Sequence, residues 1–242
     1  MIFAQNRQHN RAILSPIPGN CSDPHPVNST LKGGWLTLTS GLFVRWSWGF
    51  FMLVTNLFVK RAHGEKLEPV ESFDFDESGI VRGVSCSPLR QVLITSEPVT
   101  IECGLNAGDL RENIVVDADE LYELPSGTVV ATGAARIRLT FHCEPCKALR
   151  KVIEPSRIVH KRGVLGRFLN SGTVSIGDGF SITEEKYEAI PYKVTDRMRW
   201  LLCNDEISLA GADLVHALGL PSSYARAMPR ILQKTVERRH SK

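Results

Sequence analysis

The stretch that decides the fold runs from Leu110 to Phe180: LRENIVVDADELYELPSGTVVATGAARIRLTFHCEPCKALRKVIEPSRIVHKRGVLGRFLNSGTVSIGDGF. Its apolar runs, such as ENIVV, GTVVATG and GTVSIG, are short and rich in Val, Ile and Thr, the composition that suits a pleated, half-buried surface. Ile137, Leu139 and Phe141 alternate with Arg138 and Thr140, the period-two pattern of a strand with one buried face. Gly127, Gly133, Gly172 and Gly177 fall where tight turns are expected, as does Gly79 upstream. The pattern predicts a mainly β fold, closed or heavily curled, with a few short helices. One of those helices is expected immediately after Cys146, in KALRKVI.

Upstream, RQVLITSE, LFVKR and HGEKLEPVESFDFDESG continue the same style, so the β domain is assigned to residues 55–182. Residues 1–34 hold several prolines, asparagines and glycines with no apolar period, and read as a disordered or extraneous segment. The run FVRWSWGFFMLVTNLFV at 43–59 imitates a membrane span. Arg45 interrupts it, and its uninterrupted part is shorter than the roughly 20 residues a bilayer requires. No membrane span is expected, and Thr55–Val59 reads as the first strand. Beyond Ile182 the character becomes helical. In the region 183–242, Ser208 is a candidate cap for a helix that ends at Gly219, and a second helix is expected from about Tyr224 to Arg238. Two helices around a glycine turn make a candidate helix-turn-helix.

The chain has 242 residues, 43% hydrophobic and 23% charged, with a net charge of +3. That is the balance of an ordinary globular protein and offers no general affinity for nucleic acid. Its six cysteines are too sparse for a disulfide framework and no secretory signal opens the chain, which predicts a reducing, cytoplasmic setting. Cys143 and Cys146 form a CxxC pair, but nothing at the right spacing completes a zinc site. Cys146 follows Pro145 and precedes the expected helix, where orphan amides, Lys147 and Arg150 would favour a thiolate able to hold a soft metal or carry sulfur. The plainer reading of Cys146 is a buried structural cysteine. Cys143, at a strand end, reads as a small packed hydrophobe. Arg90, Arg111 and Arg162 each precede an apolar strand, and Asn113 stands beside Arg111. Taken singly they are surface charges; taken together they could line one anion pocket.

These blocks resemble the MOSC domain, the domain found at the C-terminus of molybdenum-cofactor sulfurases. The resemblance rests on Arg111, Asn113, Ile114 and Val116; on Cys143-Glu144-Pro145-Cys146; on Arg162-Gly163-Val164-Leu165-Gly166; and on Gly172 through Asp178, in that order. It implies a curled β-barrel that binds molybdenum cofactor (molybdopterin). Cys146 would supply the metal-binding thiolate, and Arg90, Arg111, Asn113 and Arg162 would face the pterin and its phosphate. It further implies oxidoreduction or sulfur and cofactor transfer, with a small-molecule substrate and an electron-donor or sulfur-donor protein as partners. Pyridoxal phosphate binding and a sulfur-carrier role belong to the same family expectations. The chain departs from many stand-alone members at Ile80–Ser85, where their Gly-Asp-Arg or Gly-Asp-His element is missing, and it lacks the aminotransferase-like desulfurase portion of the sulfurases.

GADLVHALGLPSSYARAMPRIL, at 211–232, is similar to the DNA-binding helices of alkyltransferase-like proteins. That similarity implies DNA contacts through Arg226 and Arg230, without alkyl transfer, because no Pro-Cys-His-Arg acceptor motif is present. The alternative function is therefore a non-enzymatic binding module that joins a MOSC scaffold to a DNA-binding helix-turn-helix. One expectation follows for the N-terminus: deleting residues 1–34 leaves the melting temperature unchanged within error, since the segment offers no apolar face to pack. A drop of several degrees in a thermal melt would place those residues in the core.

Overall fold

The computed structural model of the chain describes residues 52–84, 87–204, 211–220 and 222–240. The segment 1–34, the first part of the apolar run at 43–59 and the proposed cap Ser208 lie outside these residues. Among the described residues, no helix is long and apolar enough to cross a membrane.

Eleven strands form in chain order: β1 (Met52–Val59), β2 (Glu68–Val70), β3 (Ser72–Asp76), β4 (Gly79–Ile80), β5 (Val92–Ser96), β6 (Ile114–Val116), β7 (Thr128–Thr132), β8 (Ala135–His142), β9 (Val164–Phe168), β10 (Gly172–Ser175) and β11 (Gly179–Lys186). Seven of them close a barrel in the order β11-β7-β8-β9-β5-β6-β1, with β1 returning to β11 through Met52↔Phe180 and Leu53↔Gly179. Strand β2 extends the far end of β1, while β10, β3 and β4 make a small second sheet. Closure leaves the barrel without the exposed edges that invite association. Strands β5 and β6 pair in parallel, which a hairpin cannot achieve, and the helix α1 (Glu97–Glu102) lies in the crossover.

The alternation read from the sequence sets the two faces. Ile137 and Leu139 of β8, Ile94 of β5, Ile114 and Val116 of β6 and Phe168 of β9 fill the barrel with almost no exposure. Phe75 of the small sheet stacks on Phe168 with ring centroids 4.4 Å apart. Gly166 is required where β8 and β9 meet, because a Cβ there would stand 2.5 Å from Cγ2 of Ile137.

Three helices follow: α2 (Val194–Asn204), α3 (Ala212–Ala217) and α4 (Met228–His240). They share a core of Met198, Leu201, Leu214, Val215, Leu218 and Met228. They dock on the outer wall of the barrel, where Trp200 and Tyr192 pack against Leu89, Leu93, Phe141 and Leu165. Arg197 of α2 is the centre of this contact. It donates to the backbone oxygens of Pro191, Tyr192 and Leu218 and lies 3.5 Å over the ring of Phe141. Burial pulls its pKa down to about 10, with the neighbouring Glu144 opposing the fall, so it remains cationic at neutral pH.

Three details differ from the sequence reading. The strands extend a little further, from Met52 to Lys186. The helix expected after Cys146 is a single 3-10 turn, Lys147–Lys151, because Val152 and Pro155 follow and the residue before a proline resists helical geometry. The second C-terminal helix is split: a 3-10 turn at Ser222–Arg226 precedes α4. Pro229 is tolerated only in a first turn, which fixes the start of α4 at Met228. The connection between α3 and α4, residues 218–227, is therefore longer than the turn of a compact helix-turn-helix.

Replacing Arg197 with Met should lower stability by about 3 kcal/mol, since charged hydrogen bonds are lost and one buried and two partly buried carbonyls lose their donor. Urea unfolding followed by tryptophan fluorescence reads this directly; an unchanged midpoint would show that the helices are held by their apolar core alone.

Candidate functional site

The pairing of β5 with β9 places Leu93 directly opposite Leu165. Their neighbours Val92, Ile94 and Val164 belong to the barrel core, so alternation turns Leu93 and Leu165 to the outer wall. These two leucines form part of the lining of a cavity of about 210 Å³. Among the described residues the polar lining is one-sided: Lys60, His63, Arg90, Arg111 and Arg162, with Asn113, Gln91 and Cys143, and no carboxylate. All four residues expected to make an anion pocket, Arg90, Arg111, Asn113 and Arg162, are thus in one wall. Arg90 precedes β5 and Arg162 precedes β9. Because these strands are antiparallel, the two guanidinium groups come in over the leucines from opposite ends.

Arg90 and Arg162 are each held by part of the fork. Arg90 donates from Nη1 to the carbonyl of Gly219 at 3.2 Å and from Nη2 to Sγ of Cys143 at 3.8 Å. Arg162 is 7% exposed and donates from Nη1 to the carbonyl of Glu144. The Nε groups of both are buried with no hydrogen-bond partner. The same is true of the Nε groups of Arg138 and Arg167, which do not line the cavity. Arg111 adopts φ 64°, a left-handed conformation uncommon outside glycine.

Asn113 does more for the fold than the sequence suggested. Its Oδ1 accepts from the N–H of Leu93 at 3.0 Å and its Nδ2 donates to the carbonyl of Phe58 at 3.2 Å. It keeps one amide donor for a ligand.

The two cysteines are set apart. Cys143 lines the cavity and is 2% exposed. Burial pushes its thiol up, and the charges of Arg162 and Arg90 pull the other way. Cys146 is half-buried, does not line the cavity, and packs with Cys103 against Leu105, Leu110, Leu149, Ile153 and Ile158. One 3-10 turn aligns too few peptide dipoles to support the thiolate argument made for Cys146 from an expected helix. Among the described residues, no group of three or more His, Cys, Asp or Glu is placed to hold a metal ion. Arg226 and Arg230 are both exposed and lie outside the cavity.

Lys60 and His63 were missed as site residues. Lys60 ends the first strand and His63 sits in the loop beyond it, so neither carries a local signal; only the folding of β1 beside β6 brings them to Arg111.

Residues 90–181 match the model of the MOSC domain. No curated protein matches the chain. Among solved structures, the YuaD protein from Bacillus subtilis is similar at 17% identity, with 57% of this chain and 97% of that chain covered and a TM-score of 0.48. YiiM from Geobacillus stearothermophilus is 14% identical over 75% of this chain and 99% of its own, with a TM-score of 0.46. YiiM from Escherichia coli is 16% identical over 74% and 90%, with a TM-score of 0.43.

Iodoacetamide at pH 7 should label Cys146 and leave Cys143 largely protected in the folded protein. A thiol whose pKa is raised holds less thiolate at that pH, and burial also denies the reagent access. Peptide mass spectrometry of single Cys→Ser variants checks this, and comparable labelling rates at the two positions would contradict it.

Proposed function

We propose that the MOSC domain at residues 90–181 binds an anionic, phosphate-bearing cofactor of the molybdenum-cofactor class in the basic cavity. The observation that carries this reading is the one-sided lining: Lys60, His63, Arg90, Arg111 and Arg162 around one space with no carboxylate among them. In this reading Arg90, Arg111 and Arg162 hold the phosphate, and Asn113 offers its remaining amide donor to the pterin. Leu93 and Leu165 give the ring system an apolar surface.

The metal-binding thiolate is proposed at Cys146 on the sequence resemblance alone, since Cys146 does not line this cavity. Cys143, in the cavity wall, is the comparison that tests the assignment. When bound, the molybdenum centre supplies oxidoreduction or sulfur transfer. An electron-donor or sulfur-donor protein is the partner such chemistry requires. The role of this chain's own residues is to neutralise the cofactor's charge, orient it, and exclude water over the leucine surface. The competing reading is a binding module that takes DNA on the exposed Arg226 and Arg230. It predicts steep salt dependence and no bound metal.

The full chain, purified from cells that make the cofactor, should carry molybdenum by elemental analysis and pterin by fluorescence after oxidative release. Arg162→Met should lose both. Cys146→Ser should lose molybdenum while Cys143→Ser keeps it. Protein free of metal and pterin, yet shifting duplex DNA in a gel at about 50 mM salt, where phosphate contacts are strong, would reverse the choice.

A further inference from the structure

Among the described residues, Glu112 is the one acidic side chain that is buried, with no exposed surface at all. It stands between two cavity residues, Arg111 and Asn113, and the cofactor reading gives it no task. Its Oε1 accepts from the N–H of Gly108 at 2.6 Å. Its Oε2 is sealed from solvent without a partner. An unpaired buried carboxylate is much costlier than the neutral acid. Burial accordingly raises the pKa of Glu112, with the Gly108 hydrogen bond opposing and the charge of Asp109 adding to the rise. The group acts here as a hydrogen-bond acceptor through Oε1.

What it accepts from is the turn that carries Arg111. The N–H of Arg111 donates to the carbonyl of Gly108 at 3.0 Å. Gly108 is therefore gripped on both sides, its N–H by the carboxyl group of Glu112 and its carbonyl by the backbone of Arg111. Gly108 has φ +95° and lies against the ring of Phe58, while Arg111 has φ 64°. Arg111 needs that support, because its β-carbon disfavours the left-handed conformation. Among the described residues, no hydrogen bond or ion pair fixes its guanidinium group. Arg111 is exposed, and the turn sets the point and angle from which its side chain leaves the backbone toward the cavity.

We propose that Glu112 is the positioning residue for Arg111: by locking the Gly108–Arg111 turn, it aims that guanidinium group into the anion cavity. This rests on the anion-binding reading above. Glu112 touches no ligand; it acts through the turn.

The test uses sulfate as the probe, titrated into the full chain by calorimetry. Glu112→Ala should weaken sulfate binding about tenfold, the order expected when one charged contact is lost. Glu112→Gln should restore wild-type affinity, since its amide oxygen still accepts from Gly108. In an Arg111→Gly background, Glu112→Ala should change nothing further, because the two residues act as one unit. Should the Ala variant fail to fold, Glu112→Asp serves in its place: it keeps a carboxyl group but is too short to reach Gly108. Wild-type affinity in Glu112→Ala or Glu112→Asp overturns the proposal, as does a loss that persists without Arg111. Absence of sulfate binding to the unaltered protein overturns the anion cavity itself, and this inference with it.

Discussion

Asn113 ties the barrel together at its narrowest place. Strand β6 has only the three residues Ile114–Val116, yet it joins β5 on one side and β1 on the other. Ladder bonds over so short a strand are few. Asn113 supplements them: its backbone N–H donates to Leu93 and its carbonyl accepts from Phe58, both at 2.8 Å, while its side-chain amide bonds the same two residues again. One residue thus clips three strands immediately before β6 begins. Because Asn113 is also in the cavity wall, the position of the cavity is bound to the closure of the barrel. A ligand there meets a surface fixed by the fold, with the two arginines from the ends of β5 and β9 reaching over it.

Much of this was legible in the sequence, and the reasons differ by residue. Ile137 and Leu139 alternate with Arg138, a pattern with only one inward solution, and the structure buries them as expected. The basic lining of the cavity was legible in part: Arg90, Arg111 and Arg162 share a chemistry and a place before apolar runs. That they converge required a register no local pattern contains. Lys60 and His63 were illegible for the same reason. The closing pair Met52↔Phe180 joins residues at opposite ends of the domain, and nothing in either segment announces the other. The helix after Cys146 failed on a local rule that was visible, since Pro155 and the β-branched Val152 limit KALRKVI to one turn.

That shortened helix changes the physics of the CxxC pair. With an α-helix behind it, Cys146 would gain aligned dipoles and free amides. With a 3-10 turn, the two thiols differ chiefly in surroundings. Cys143 has the charges, Arg90 and Arg162, but has lost its water. Cys146 has more access but leans on an apolar cluster with Cys103. Charge without solvent and solvent without charge favour different chemistry. The first suits a thiol engaged by something that fills the cavity and brings its own polarity. The second suits a thiol reached from outside. The CxxC pair therefore spans the boundary between the cavity and the protein's exterior.

The C-terminal helices bear on the same boundary. Arg90 is shared between the cavity, Sγ of Cys143 and the carbonyl of Gly219, the glycine that ends α3 with φ 66°. Gly219 must lack a side chain: a Cβ there would stand 3.1 Å from the ring of Phe141 and 3.2 Å from Leu89. That close approach is what lets its carbonyl meet Arg90. Beneath it, Arg197 holds Leu218, the residue before Gly219, to the same patch of barrel. The end of α3 is thus pinned twice, through Arg197 from below and Arg90 from the side. Among the described residues the helical region contributes nothing to the cavity lining, yet through the carbonyl of Gly219 it holds one arginine of that lining in place.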